Sequence, residues 1–166
     1  MCGRGRCKVC RHDTVRRQAE ITDNVVMPKI PASCPCGGPS FPTCCGPYLS
    51  GEAVPQTAEA LMRSRYTAYT LGNEAYLRAT WHPSTRPEEP IVNENERLQW
   101  LGLEVKSALR LRQRKVNTEE GDTVEFVARY KTGGRAHRLH EVSRFVRETS
   151  IGDVPRWYYL DGSFPE

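Results

Sequence analysis

Apolar residues recur along this chain on two different periods, and the point where one period replaces the other marks out its layout. Between residues 57 and 72, Ala58, Leu61, Met62, Arg65 and Tyr69 share one face at helical spacing. Thr57 suits an N-cap, Glu59 suits the positive end of the helix dipole, and Gly72 ends the run. The spacing therefore predicts an amphipathic helix. Asn73 is placed to cap a shorter one through Tyr76, Leu77 and Thr80, which ends before His82-Pro83 because a residue preceding proline disfavours the α region. Pro87 and Pro90 mark a loop, and Glu94 to Gln99 predicts a helical turn.

The period then becomes two. Leu101, Leu103, Val105, Leu109 and Leu111 alternate with Glu104, Lys106, Arg110 and Arg112, which predicts a long strand with one face in the core. After a turn over 117–122, Val124, Phe126, Ala128 and Tyr130 alternate again. Gly133-Gly134 predicts a hairpin into Leu139 to Glu148, and Arg156 to Asp161 reads as the last strand. Helices followed by an antiparallel meander define an α+β class.

Upstream, Pro28, Pro31, Pro35, Pro39, Pro42 and Pro47, with Gly37, Gly38 and Gly46, exclude a helix or central strand and predict a loop. Cys34, Cys36, Cys44 and Cys45 fall within it, four thiols in twelve residues. A loop with almost no apolar core needs something else to order it, and tetrahedral zinc (Zn) takes thiolate ligands. Two close pairs separated by a glycine turn suit that geometry; reduced buried thiols or a vicinal Cys44–Cys45 disulfide are the alternatives.

Net charge is +4 over 166 residues, but residues 1 to 30 hold seven Lys or Arg against three Asp or Glu, leaving residues 31 to 166 neutral. A neutral body gives no reason to expect a nucleic-acid groove. No apolar run approaches the roughly 18 residues of a membrane helix, and the N-terminus lacks a secretory signal's apolar core, so a cytoplasmic protein is expected. The chain divides into a basic, disordered leader (1–30), a metal-binding segment (31–50) and a folded domain (51–166). Cys2, Cys7, Cys10 and His12 have zinc-ligand chemistry without a recognisable spacing, and Met27 is an alternative start.

Cys34-Pro35-Cys36-Gly37 with Cys44-Cys45 resembles the SEC-C motif, a small zinc module also found at the tail of the SecA translocation ATPase, where it contacts the chaperone SecB. The continuation through Gly46-Pro47-Tyr48-Leu49-Ser50-Gly51, Leu61-Met62-Arg63-Ser64-Arg65-Tyr66, Trp81-His82-Pro83-Ser84, Trp100-Leu101-Gly102-Leu103, Ser143-Arg144-Phe145 and Trp157-Tyr158-Tyr159-Leu160-Asp161-Gly162 resembles the YchJ family over residues 34 to 163. The Cys36–Cys44 turn is one residue shorter than the commoner SEC-C pattern, and a second, C-terminal SEC-C copy is absent. The resemblance implies a nuclear-transport-factor-2-like (NTF2-like) cone, helices on a curved antiparallel sheet, behind a zinc knot. It also implies partners of three kinds: a protein such as a chaperone or the ribosome at the zinc motif, a small molecule in the cone, or a second copy on the open sheet face near Lys106, Arg110 and Arg129.

A cone of this type carries a cavity, and its polar, core-facing residues are the candidates for function. Arg65 lies on an apolar helix face and needs a partner, for which Glu141 is the best placed, since Leu139, Glu141, Ser143 and Phe145 share a strand face. A structural Arg65–Glu141 pair and a ligand-binding pair both fit. Tyr69, His82, Ser143, Arg144 and Trp157 complete the candidate cavity, with His82 as a general base or a helix-end residue and Asp161 as a turn former. Phosphate loops, nucleophile elbows, zinc-protease helices and dinucleotide fingerprints are all lacking. The chain is thus expected to be a zinc-containing adaptor, with small-molecule binding or catalysis in the cone as the alternative and no catalytic residue assigned.

Overall fold

The computed structural model describes residues 33–93, 98–106, 120–149 and 154–165. After a 3-10 turn at Phe41–Thr43 come α1 (Gly46–Ser50), α2 (Ala58–Leu71) and α3 (Glu74–Ala79), then β1 (Gln99–Val105), β2 (Glu120–Thr132), β3 (Arg135–Glu148) and β4 (Arg156–Ser163). The strands form one antiparallel sheet in the order β1-β2-β3-β4, a meander with every pairing between sequence neighbours.

The helix boundaries follow from their caps. Thr57 accepts the Ala60 N–H at 3.1 Å and Asn73 accepts the Tyr76 N–H at 3.0 Å, each satisfying an otherwise orphaned donor. Gly72 closes α2 in the left-handed conformation. The proline-rich segment is not all loop: α1 forms because Pro47 sits in its first turn, where a missing N–H costs nothing.

Helix α2 lies across the inner face of the sheet. Leu61, Met62 and Tyr66 meet Val124, Phe126, Ala128 and Phe145, and the cysteine segment joins the same cluster from the other side. Full burial of a side chain such as Leu61 or Phe145 contributes about 1.5–3 kcal/mol each. At the far end, α3 is stitched to β4, with the Tyr159 N–H donating to Thr80 O and the His82 N–H donating to Tyr159 O.

Three details depart from the alternation read in the sequence. Trp100 pairs with Tyr130 and Gly102 with Arg129, so Leu101 is an extra residue in a β-bulge. Trp100, Leu103 and Val105 therefore face the core while Leu101 is turned out, 45% exposed. Glu120–Asp122 belongs to β2 rather than to a turn, and Gln99 opens β1 rather than closing a helical turn. The hairpin is as expected, with Gly133 and Gly134 both at positive φ between paired Thr132 and Arg135. Residues 94–97, Leu109, Arg110, Leu111, Cys2, Cys7, Cys10, His12 and Met27 lie outside the described residues.

Candidate functional site

The first candidate is the sulfur cluster. Cys34, Cys36, Cys44 and Cys45 bring their Sγ atoms within 4.8 Å of one another. Cys36 Sγ stands 3.4 Å from Cys34 Sγ and 3.5 Å from Cys44 Sγ, and the Cys44 and Cys45 sulfurs are 3.9 Å apart. A disulfide would need about 2.0 Å, so the vicinal bridge is not formed. Thiolates at about 2.3 Å from a tetrahedral ion stand about 3.8 Å apart, which these separations match. Gly37, at φ 90°, turns the chain, and Gly38 leaves room for the sulfurs, since a Cβ there would fall 2.6 Å from Cys44 Sγ.

Electrostatics agree with a cation at the centre. Hydrogen bonding with Cys45 first, then with the Gly38 backbone, Cys34 and Cys44, holds the Cys36 pKa down at about 4 against the opposing effect of burial. Burial and its sulfur neighbours push Cys44 up to about 11, and Cys45 is driven further up by its bond to Cys36 and by burial. Four thiolates this close repel one another, so they ionise together only around a positive charge. The four cysteines can hold a metal ion. Cys34, Cys36 and Cys45 are buried, and four-thiolate sites of this kind leave no coordination position open. The cluster is clamped to α2 by Arg63, whose Nη1 donates to Cys36 O at 3.2 Å, and by Thr67, whose Oγ1 lies 3.9 Å from Cys34 Sγ.

The second candidate is a cavity of about 360 Å³ between α2 and the inner sheet face. Its walls are largely apolar and aromatic, with Met62, Tyr66, Trp100, Phe126 and Phe145 among them. Trp100 is the hub, edge-on to Tyr66 at 5.4 Å and beside Tyr130 at 5.6 Å. Another part of the wall is Ile91 to Asn93, a loop held from α3: Glu74 accepts the Ile91 and Val92 N–H groups at 3.0 and 2.8 Å, and Arg78 donates to Pro87 O and Glu89 O. Those backbone donors hold the Glu74 carboxyl below its ordinary value.

Among the described residues, two charged side chains line this apolar space. Arg65, only 5% exposed, donates from Nη1 to Leu77 O at 2.8 Å and Thr80 Oγ1 at 2.9 Å. Its guanidinium also lies over the rings of Tyr159 at 4.6 Å and Trp81 at 5.1 Å. Burial pulls its pKa down, opposed by Tyr69, Tyr159, Tyr76 and Glu141. Glu141, 8% exposed, accepts from Ser143 Oγ at 2.7 Å and from Tyr159 OH at 3.0 Å, both on Oε1. Burial, then Glu141, raises the Tyr159 phenol. Gly162 on β4 makes the space for this carboxyl, because a Cβ there would lie 2.2 Å from Oε1.

The seven residues grouped from the sequence part company here. Arg65, Tyr69, Glu141 and Ser143 line the cavity. Arg65 and Glu141 do not form the direct ion pair expected of them; among the described residues they are linked through Tyr159, whose ring lies under one and whose hydroxyl binds the other. His82 is not at the cavity. Its backbone is tied to β4, its Nδ1 accepts from Ser84, and Nε2 donates to Glu148 at 2.9 Å, so it secures a helix end. Arg144 is not there either, since strand alternation sends it to the opposite face of β3, where it forms a two-bonded pair with Asp161. Asp161 is accordingly a strand residue rather than a turn former. Trp157 sits at the other end of β4, its Nε1 donating to Gln56 O. Tyr159, outside that group of seven, shares the inner face with Trp157 by strand parity, which is the signal that finds it; the need for Gly162 carries no sequence signal.

The family model for the YchJ middle NTF2-like domain matches residues 57–162. A UPF0225 protein of Cupriavidus metallidurans is 55% identical over 82% of this chain and 92% of its own length, and UPF0225 protein RSc0270 of Ralstonia nicotianae is 54% identical over 86% and 98%. Among solved structures, a SEC-C motif containing protein from Psychrobacter arcticus superposes with a TM-score of 0.65 at 27% identity, covering 84% of this chain and 86% of its own. RPA3114, a SEC-C motif containing protein from Rhodopseudomonas palustris, gives 0.55 at 31% identity, covering 81% and 99%.

Proposed function

This chain belongs to the YchJ family, with its NTF2-like middle domain, and from that premise we propose that it is a cytoplasmic protein that binds a small organic molecule in the cone, with zinc in the cysteine cluster as a structural ion. The observation that carries the reading is the cavity itself: an apolar, aromatic-walled space of about 360 Å³ into which two buried charged side chains are brought. Apolar walls with a few placed polar groups are what ligand pockets are made of. The reading is one of binding because, among the described lining residues, the Ser143 hydroxyl is committed to Glu141 and Arg65 Nη1 to Leu77 O and Thr80 Oγ1, which leaves the apolar walls as the main contact surface. Zinc is favoured among metals by four thiolates in a closed, tetrahedral arrangement.

The test is a thermal-shift screen of the zinc-loaded protein against metabolites and fragments. A ligand at about 100 times its dissociation constant adds roughly 2.7 kcal/mol, a readable shift. The shift should disappear in Leu139→Trp, which fills the cavity; an unresponsive wild-type protein across the whole library refutes the reading.

The contact-module reading suggested by the SEC-C motif stands second. With three cysteines buried against α2, what remains for a chaperone or ribosomal partner is the exposed turn at Pro42 and Thr43. Arg substitutions at those two positions should abolish capture of such a partner while leaving bound metal unchanged. A second copy on the sheet face of Lys106 and Arg129 would show as a dimer in light scattering.

A further inference from the structure

Among the described lining residues of the cavity Glu141 is the one carboxyl, and its two oxygens are used unequally. Oε1 takes both protein hydrogen bonds, from Ser143 Oγ at 2.7 Å and Tyr159 OH at 3.0 Å, while Oε2 accepts none from the described residues. Oε2 is not among the buried side-chain atoms of the described residues that lack a partner, so it keeps surface open to the cavity, where water or a ligand can donate to it. The positive charge that balances Glu141 is already present in Arg65, which lies on the Tyr159 ring and has committed Nη1 to Leu77 O and Thr80 Oγ1. Among the described lining residues the two charges therefore balance without a ligand. An ammonium would leave a net positive charge in an apolar cavity, and a carboxylate would set a second anion beside Glu141; each pays a desolvation cost that a neutral group escapes.

Resting on the reading of the cone as a binding cavity, we infer that its ligand is a neutral, ring-bearing molecule carrying one hydroxyl, which donates its proton to Glu141 Oε2 while the ring lies against Trp100 and Phe126. Alcohols and phenols of one or two rings are the class. Trp100, Tyr66 and Tyr69 present faces and edges to a flat ring, and Leu139 and Met62 supply the aliphatic contacts.

A matched series of probes tests this on the zinc-loaded full chain: 2-naphthol, 2-methoxynaphthalene, naphthalene, 2-naphthylmethylamine and 2-naphthoate, measured by calorimetry or by naphthol fluorescence. In wild type, 2-naphthol should bind about tenfold or more tightly than its methyl ether, the value of a hydrogen bond to a charged acceptor. Glu141→Met should abolish that preference while leaving naphthalene affinity within about twofold, and Glu141→Gln, which keeps size and polarity, should reduce it to an intermediate value and serves if the Met variant does not fold. Equal affinity for naphthol, ether and hydrocarbon overturns the hydroxyl inference and leaves the binding cavity standing. Tightest binding by the amine or by naphthoate overturns the neutral-ligand class in favour of a charged one. Binding of none of the five overturns this inference, and only failure of the wider library overturns the cavity reading with it.

Discussion

Gly162→Ala is the substitution that most directly probes the arrangement of the cone. The new Cβ would stand 2.2 Å from Glu141 Oε1, 2.6 Å from Cδ and 2.9 Å from Cγ, all far inside contact distance. Gly162 is not among the positive-φ glycines, so the cost does not come from the backbone. Glu141 has two responses. It can stay, at an overpacking cost of about 1–3 kcal/mol. It can swing into the cavity and give up the bonds from Ser143 and Tyr159, each worth about 1.5–3 kcal/mol when the acceptor is charged, with water in the cavity returning part of that. Losing a glycine from the unfolded chain offsets about 0.4–1 kcal/mol. The net expectation is a destabilisation of about 2 kcal/mol, or about 4–8 °C in Tm for a chain of this size. In a Glu141→Ala background the clash is gone, and the same substitution should be neutral or slightly stabilising. Urea unfolding of the four proteins of this cycle, with zinc present throughout, gives the coupling energy, expected near 2 kcal/mol. Equal costs in both backgrounds, or a stabilised single variant, would refute the packing of Glu141 against β4.

Other perturbations reach different parts of the molecule. Elemental analysis should find one divalent metal per chain, lost in Cys36→Ser; where free metal stands at about 1,000 times its dissociation constant, removing it should cost about 4 kcal/mol, read as a drop in Tm on chelation. Arg65→Met removes two hydrogen bonds to the end of α3 and two ring contacts, and urea unfolding should show a loss of about 3 kcal/mol that no ligand restores. Glu74→Ala should free the Ile91–Asn93 wall of the cavity, seen as faster amide exchange at Ile91 and Val92. Because backbone donors lower the Glu74 pKa, the tether is complete above the ordinary glutamate value of about 4.3 and is lost as the pH falls through the depressed value, so exchange at those amides, corrected for intrinsic rate, should rise only in acid.

Much of this fold was legible because local chemistry and tertiary structure agree. Thr57, Asn73 and Gly72 act through hydrogen bonds and dihedral preferences that need no distant partner, and the Gly133-Gly134 hairpin is specified by its own two residues. The sulfur cluster was legible for a similar reason, since four ligands within twelve residues close on themselves. What was hidden depended on long-range geometry. The bulge at Leu101 turns that leucine out and puts Trp100 on the core face with Leu103 and Val105, and only pairing with β2 reveals it. Arg144 and His82 read as cavity residues because proximity in sequence to Ser143 and Trp81 says nothing of the side to which each side chain is sent. The dependence of Glu141 on a glycine twenty-one positions later exists only once β3 and β4 are paired.

Helix α2 is held on both sides, by the cysteine segment through Arg63 and Thr67 and by the sheet through Leu61, Met62 and Tyr66, with Arg65 reaching to α3. Eight of its fourteen residues are buried, more than the single stripe of an ordinary surface helix. Its freedom to vary is correspondingly small: a substitution that suits one neighbour is judged by the other, so any reshaping of the cavity has to be written mainly in the strands and in the Ile91–Asn93 loop.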